Sequence, residues 1–381
     1  AIMPWTETTL GELVTLQRGF DLPTKSRIPG NVPVLSAGKK IASHNQAKVA
    51  GPGFVIGRSS NLGIPKWSDT DFWPLNTTLF AKDFKGNNPK WLFYLFQTID
   101  LTGFNSGTAQ ASLNRNHISG FRVTAPSRPE QDRIVDVLGS LDDKTTANNH
   151  VLAVIDETIQ ALWQVSATFD ADLVCLGDVV EFNPKISVPK GTLVKTIEMK
   201  NLPESGFSVQ EWVFREAKSG SRFQNDDTLL ARITPCFENG KCGFVDFLST
   251  DEVGSGSTEF IVMRPPSGVP PAAPYAIARS TDFRTFAEQT MTGTSGRQRV
   301  QHGDLGAYET AWPSKESLTT FDSATSPLLK LARKIRDENL TLTKTRDELL
   351  PLLMNGKITV REAEQEATAA GTETLDEEHE V

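Results

Sequence analysis

Two short polar stretches carry side chains suited to hydrogen-bonding chemistry, GTAQASLN at 107–114 and GTSGRQRV at 293–300, and each precedes a proline and a long leucine-rich segment. Arg, Asn and Gln can contact base edges through two hydrogen bonds at once, while Ser, Thr and main-chain N–H groups hold phosphates. The first stretch supplies Gln110 and Asn114, followed by Arg115 and Asn116; the second supplies Thr294, Ser295, Arg297, Gln298 and Arg299. Similar groups close apolar runs elsewhere: Arg58, Ser59, Ser60 and Asn61 with Lys66 nearby, then Arg232, Thr234, Asn239 and Lys241. Each group also reads as a water-exposed turn, because polar residues beside glycine commonly form turns. Trp67, Trp73 and Trp91 read as core rather than as stacking platforms.

Catalytic constellations are sparse. No GxxxxGK[ST] phosphate loop occurs, and the glycines of GPGFVIGRSSNLG at 51–63 are out of frame for a dinucleotide fingerprint. The five histidines show no metal-ligand spacing, and the three cysteines form no CxxC pair. Phe182-Asn183-Pro184-Lys185 lacks the second proline and the aromatic of an amino-methyltransferase motif. Asp178, Glu198 and Lys200 could be read as a nuclease metal site, but an acidic-x-Lys triplet is common by chance. No catalytic residue, metal or cofactor is therefore expected in this chain.

Composition and charge narrow the class. With 38% hydrophobic and 23% charged residues the chain reads as globular. No run approaches the roughly eighteen apolar residues of a membrane span, and no secretory signal is visible, so a cytoplasmic location without membrane contact is expected. The net charge of −8 is unevenly placed: residues 361–381 hold eight acidic residues against Arg361, a net −7, which leaves −1 for the rest. Residues 1–125 carry 13 basic and 7 acidic residues, a net +6, whereas residues 173–312 carry 14 and 17, a net −3. The first half is the better electrostatic footprint for phosphate.

The elements that must position these groups follow one plan used twice. Leu10-Gly11-Glu12-Leu13-Val14 corresponds to Leu176-Gly177-Asp178-Val179-Val180. Short apolar strand-like runs follow in each half: PVLSAG, GFVIGR and TTLFAKD, then LVKTIEM, TLLARI, CGFVDF and TEFIVMR. After the polar loops come Pro126 and Pro313, and then helix patterns over about 129–164 and 315–354 that an offset of 187 aligns. The first carries a seam of Ile134, Leu138, Leu141, Thr145, Asn148, Leu152, Ile155, Ile159 and Leu162. The second carries Leu318, Phe321, Thr325, Leu328, Ala332, Ile335, Asn339, Leu342, Arg346, Leu349 and Leu353. A narrow stripe with a mean period near 3.5 is what two long helices need to pack along their length. Antiparallel pairing inside the chain is expected, with Asn148 and Asn339 either fixing register or marking where the seam frays.

These residues carry a family likeness. GFVIGRSSNLG, DFWPLNTTLFAKD, NPKWLFYLF and GTAQASLNRNHISGFRVTAPSRPEQDRI, with a looser second copy downstream, resemble the DNA-specificity subunit of a type I restriction-modification system. The sharpest local mark is PxxPEQxRI (Pro126, Pro129, Glu130, Gln131, Arg133, Ile134); the second copy departs from it with Pro313-Ser314-Lys315-Glu316-Ser317-Leu318. The resemblance implies an α+β fold: two globular mixed α/β target-recognition domains, separated by two long antiparallel helices that form an intramolecular coiled coil, as a pseudo-twofold repeat. The corresponding boundaries are 1–127 and 169–313 for the target-recognition domains, 128–168 and 314–357 for the spacer helices, and 358–381 for an acidic tail with too little apolar content to fold. Also implied is a non-catalytic reader of a bipartite, asymmetric site on double-stranded DNA. Its partners would be two copies of a methyltransferase subunit that uses S-adenosylmethionine, and restriction/translocase subunits that use ATP and Mg²⁺. Two other classes stay open: a coiled-coil adaptor, and a Mg²⁺-dependent nuclease built on Asp178, Glu198 and Lys200.

Overall fold

The computed structural model describes residues 5–38, 42–105, 112–168, 170–294 and 296–376, with side chains described to residue 371. The chain divides into two compact units, one of residues 1–144 and 342–381 and the other of residues 145–341. Both long helices contribute to both units.

In the first unit a four-stranded antiparallel sheet runs in the order Thr15–Arg18, Thr78–Asp83, Gly53–Gly57, Pro65–Ser68. The apolar runs GFVIGR and TTLFAKD supply its buried centre. Against it packs the helix Pro89–Thr98, which buries Trp91, Leu92, Tyr94, Leu95 and Phe96. That helix starts where it does because Asn88 caps it, accepting hydrogen bonds from the main-chain N–H groups of Lys90 (2.9 Å) and Trp91 (3.2 Å), and Pro89 fits the first turn. Trp91 and Trp73 are core, as expected, while Trp67 is half-buried beneath the Lys90 ammonium, 4.5 Å from its ring centre.

The second unit repeats the plan. Its four-stranded sheet has the order Glu181–Phe182, Phe260–Arg264, Thr228–Ala231, Cys242–Phe244, and the buried helix Ala272–Arg279 covers it. A second sheet pairs Val213–Glu216, Leu193–Ile197, Gly254–Gly256 and Ser221–Phe223. Glycine is needed at 254, where a Cβ would lie 2.1 Å from the Phe223 ring. Four-residue helices occupy both copies of the LGxxV motif, Leu10–Leu13 and Leu176–Val179.

The long helices span Arg128–Ser166 and Lys315–Met354, 39 and 40 residues. In the first unit Ile134, Leu138 and Leu141 share a core with Leu342, Leu349 and Leu353. In the second, Leu152, Ile155 and Ile159 share one with Phe321, Ala332 and Ile335, while Leu162 and Leu328 are partly buried. The helices pack antiparallel: Asn148 meets Asn339, and fifteen residues on, Trp163 meets Phe321 with ring centres 5.3 Å apart. The seam amides are paired rather than frayed. Asn148 Nδ2 donates to Asn339 Oδ1 (2.9 Å) and Glu338 Oε2 (2.6 Å), and Asn339 Nδ2 donates to Asn149 Oδ1 (3.0 Å). Such a donor–acceptor match is lost if either helix slips.

One expectation is corrected. Within 358–381, residues Val360–Asp376 are a helix, with Val360, Ala363 and Ala370 buried. Alanine adds no side-chain entropy cost to a helix, and a stripe of small residues at 3–4 spacing suffices to seat it. The sequence held the signal in Thr359-x-x-Glu362, a capping box: the Thr359 N–H donates to Glu362 Oε2 (2.7 Å) and the Glu362 N–H to Thr359 Oγ1 (3.3 Å).

Candidate nucleic-acid interface

Each unit opens a cleft at the end of its four-stranded sheet where the edge strand and the central strand finish. In the first unit the cleft holds about 800 Å³ and is lined by Gln17, Arg18, Asp21, Arg58, Asn114 and Arg115 among others. Arg58 directly follows the strand Gly53–Gly57, and its Nη1 donates to the Asn76 carbonyl (3.3 Å). Arg18 ends the edge strand and is exposed. Arg115 is also exposed, at the head of a short helix capped by Asn114, whose Oδ1 accepts the Asn116 N–H (3.0 Å).

The second unit's cleft, about 670 Å³, is lined by Asn183, Lys185, Arg222 and Arg232. Arg232 follows the strand Thr228–Ala231 and donates through Nη2 to Gln301 Oε1 (2.5 Å), while its Nε is buried without a hydrogen-bond partner. Arg222 is held by surrounding oxygens, donating through Nη1 to Ser255 Oγ (2.7 Å) and through Nη2 to the Lys218 carbonyl.

Several residues singled out from sequence do structural work away from the clefts. Asn61 adopts a left-handed turn (φ 45°) and its Nδ2 donates to the Ala37 carbonyl (2.6 Å). Lys66 Nζ donates to the carbonyls of Ser36 (2.7 Å) and Gly38, and burial holds its pKa below the ordinary lysine value. Ser59 is half-buried and Ser60 exposed in the same turn. In the second unit Thr234 is buried and exchanges hydrogen bonds with the main chain of Gln298, and Lys241 Nζ donates to the Leu202 carbonyl (2.8 Å). Arg299 grips Glu259 through Nε and Nη2 (3.0 and 2.8 Å), and these bonds hold the Glu259 carboxyl below the usual carboxylate range. Thr294 and Arg297 are exposed. Gln110 and Ser295 lie outside the described residues.

Arg18, Lys185 and Arg222 were not found by sequence reasoning. The available signal was a cation at or just beyond the end of each edge strand, in LQRGF and EFNPK. As for the nuclease reading, Glu198 is paired with Lys200 Nζ (2.9 Å) and Arg215, and no group of three or more metal-ligating side chains gathers among the described residues.

Comparison with known proteins meets this geometry in the first unit. Residues 3–157 match the type I restriction modification DNA specificity domain. The matched stretch contains the whole first cleft and most of the first long helix. The type I restriction enzyme EcoAI and EcoEI specificity subunits of Escherichia coli are 27% identical over 184 and 191 residues, 46% and 48% of this chain. The matched part spans 31% of each of those relatives. The fold extends further: 92% of this chain superposes on 96% of the type I restriction-modification S subunit of M. genitalium, with a TM-score of 0.58 at 13% identity.

Proposed function

We propose that the chain is the non-catalytic specificity subunit of a type I restriction-modification complex, reading a bipartite and asymmetric target on double-stranded DNA. Each unit takes one half of the target. The observation that carries this reading is the pair of cationic clefts at matching places in two units built on one plan, with different side chains in each. Matching places suit two half-sites, and the polar loops of the two units, GTAQASLN and GTSGRQRV, differ in sequence, which suits two unlike half-sites.

On this reading the chain directs adenine methylation by two copies of a methyltransferase subunit, which bring S-adenosylmethionine. Restriction and translocase subunits bring ATP and Mg²⁺, and the complex works in the cytoplasm. The chain itself supplies recognition, and its long helices set the gap between half-sites. Exchanging residues 1–125 for those of another specificity subunit is expected to change one half of the methylated motif and keep the other. A change in both halves would refute the division of labour. Inserting four residues, about 6 Å of helix, into both long helices is expected to lengthen the gap by roughly two base pairs; an unchanged gap would count against the helices' role in spacing.

A further inference from the structure

The two clefts correspond residue by residue through sheet register. In the first unit Gln17 pairs with Phe80 and Gly57 with Thr78; in the second the Asn183 N–H bonds to the Val262 carbonyl and Ala231 pairs with Phe260. Counting along the strands, Gln17 stands where Asn183 stands, and Arg58 where Arg232 stands. Around these points each cleft gathers cations: Arg18, Arg58 and Arg115 in one, Lys185, Arg222 and Arg232 in the other. Among the described residues, none of the six has a carboxylate within ion-pair distance. Elsewhere in the same units, arginines such as Arg264, Arg299 and Arg336 are paired with acids. A site that collects unneutralised cations and leaves one buried N–H unbonded, on Arg232, is built for an anion.

We infer that the paired clefts are phosphate seats: each grips the DNA backbone at one equivalent point, and base sequence is selected by other loops. This rests on the DNA-reading function proposed above. A feature common to both units cannot tell one half-site from the other, whereas a backbone phosphate is the same at every sequence. The amides beside the cations also point away from base reading, since Asn114 Oδ1 is committed to its helix cap and Asn183 Oδ1 to the Val262 N–H (3.0 Å).

The test uses the full chain and a random-sequence duplex, with affinity measured across KCl concentrations. Arg18→Gln and Lys185→Gln alter exposed side chains and should leave folding intact. Each is expected to flatten the plot of log affinity against log salt by about 0.9, and the double variant by about twice that, with the motif enriched from the random pool unchanged. Arg122→Gln, exposed but outside the cleft, is the control and should leave the slope as it was. Unchanged slopes, an altered motif, or an equal fall for Arg122→Gln would overturn the phosphate assignment. A wild-type chain that enriches no motif, yet loses slope with Arg18 and Lys185, would sink the sequence-reading function while upholding the seats.

Discussion

The two units share a backbone plan but tie their globular parts to the long helices by different chemistry. In the first, Tyr94 Oη donates to Asp142 Oδ2 (2.7 Å), and Arg346 approaches the same carboxylate (3.5 Å) while donating to Gln97 Oε1 (3.2 Å). Asp142 and Arg346 keep 29% and 26% of their side chains exposed, so water shares the load. In the second unit Tyr275 Oη donates to Asp156 Oδ1 (2.9 Å) with both residues buried, and the fully buried Arg336 bridges Asp246 and Asp337. The same architecture thus admits a wet clasp or a dry one. The dry one is the more brittle, because removing one partner strands the other where water cannot reach it.

Arg336→Ala is expected to have the largest effect, on the order of 3–5 kcal/mol, because it leaves Asp246 buried without its ion-paired guanidinium. Hydrogen exchange should report it as lost protection in the strands Thr228–Ala231 and Cys242–Phe244. Protection lost first in the other unit's sheet would break the comparison. Acidification should sharpen it. Burial pushes the Asp246 carboxyl up to about 6, against the pull of Arg336, from an ordinary 3.8. A carboxyl whose folded pKa is raised binds its proton more tightly in the native state, so its contribution is fully present below about pH 4 and is lost as pH rises through about 6. Wild type should therefore gain stability relative to Asp246→Asn as pH falls from neutral toward 4, by on the order of 2 kcal/mol. A gap that stays constant with pH in paired urea titrations would contradict the raised value.

Tyrosine hydroxyls offer a smaller contrast. Tyr275→Phe is expected to cost about 1–3 kcal/mol, since it removes a donor from a carboxylate that is buried even though Gln160 and Arg279 stay on it, and Tyr94→Phe about 1 kcal/mol, because Asp142 keeps Arg346 and also meets solvent. Equal losses in thermal unfolding would erase the distinction between wet and dry ties. Smallest of all, Arg346→Ala should cost less than about 1 kcal/mol, as partly exposed ion pairs usually do.

What was legible in the sequence was what local spacing encodes. The 3–4 repeat from Ile134 to Leu162 and from Leu318 to Leu353 marks helices whose observed ends fall within two residues of those expected, because a seam is visible wherever its residues follow one another in the chain. GFVIGR, TLLARI and TEFIVMR likewise announce central strands by their apolar runs. The clefts were only half legible. Arg58 meets Arg18 through sheet register, and Asn114 and Arg115 arrive because the neighbouring Leu113 N–H bonds to the Arg58 carbonyl; no short window along the chain contains them all. Arg299 illustrates the opposite error: beside glycines and glutamines it reads as an exposed cation, yet Glu259, forty residues away, occupies it. Arg336 stands outside the seam spacing, and only the fold brings Asp246 over it.

On the proposed function, the chain chooses DNA sequence in two separate pieces. Mapping methylated adenines genome-wide in cells with and without the chain tests it most directly. The account predicts that one motif, made of two unlike short halves separated by a gap of constant length, loses methylation when the chain is removed. Methylation that is unaltered by its removal, or that disappears from a single uninterrupted motif, would contradict it.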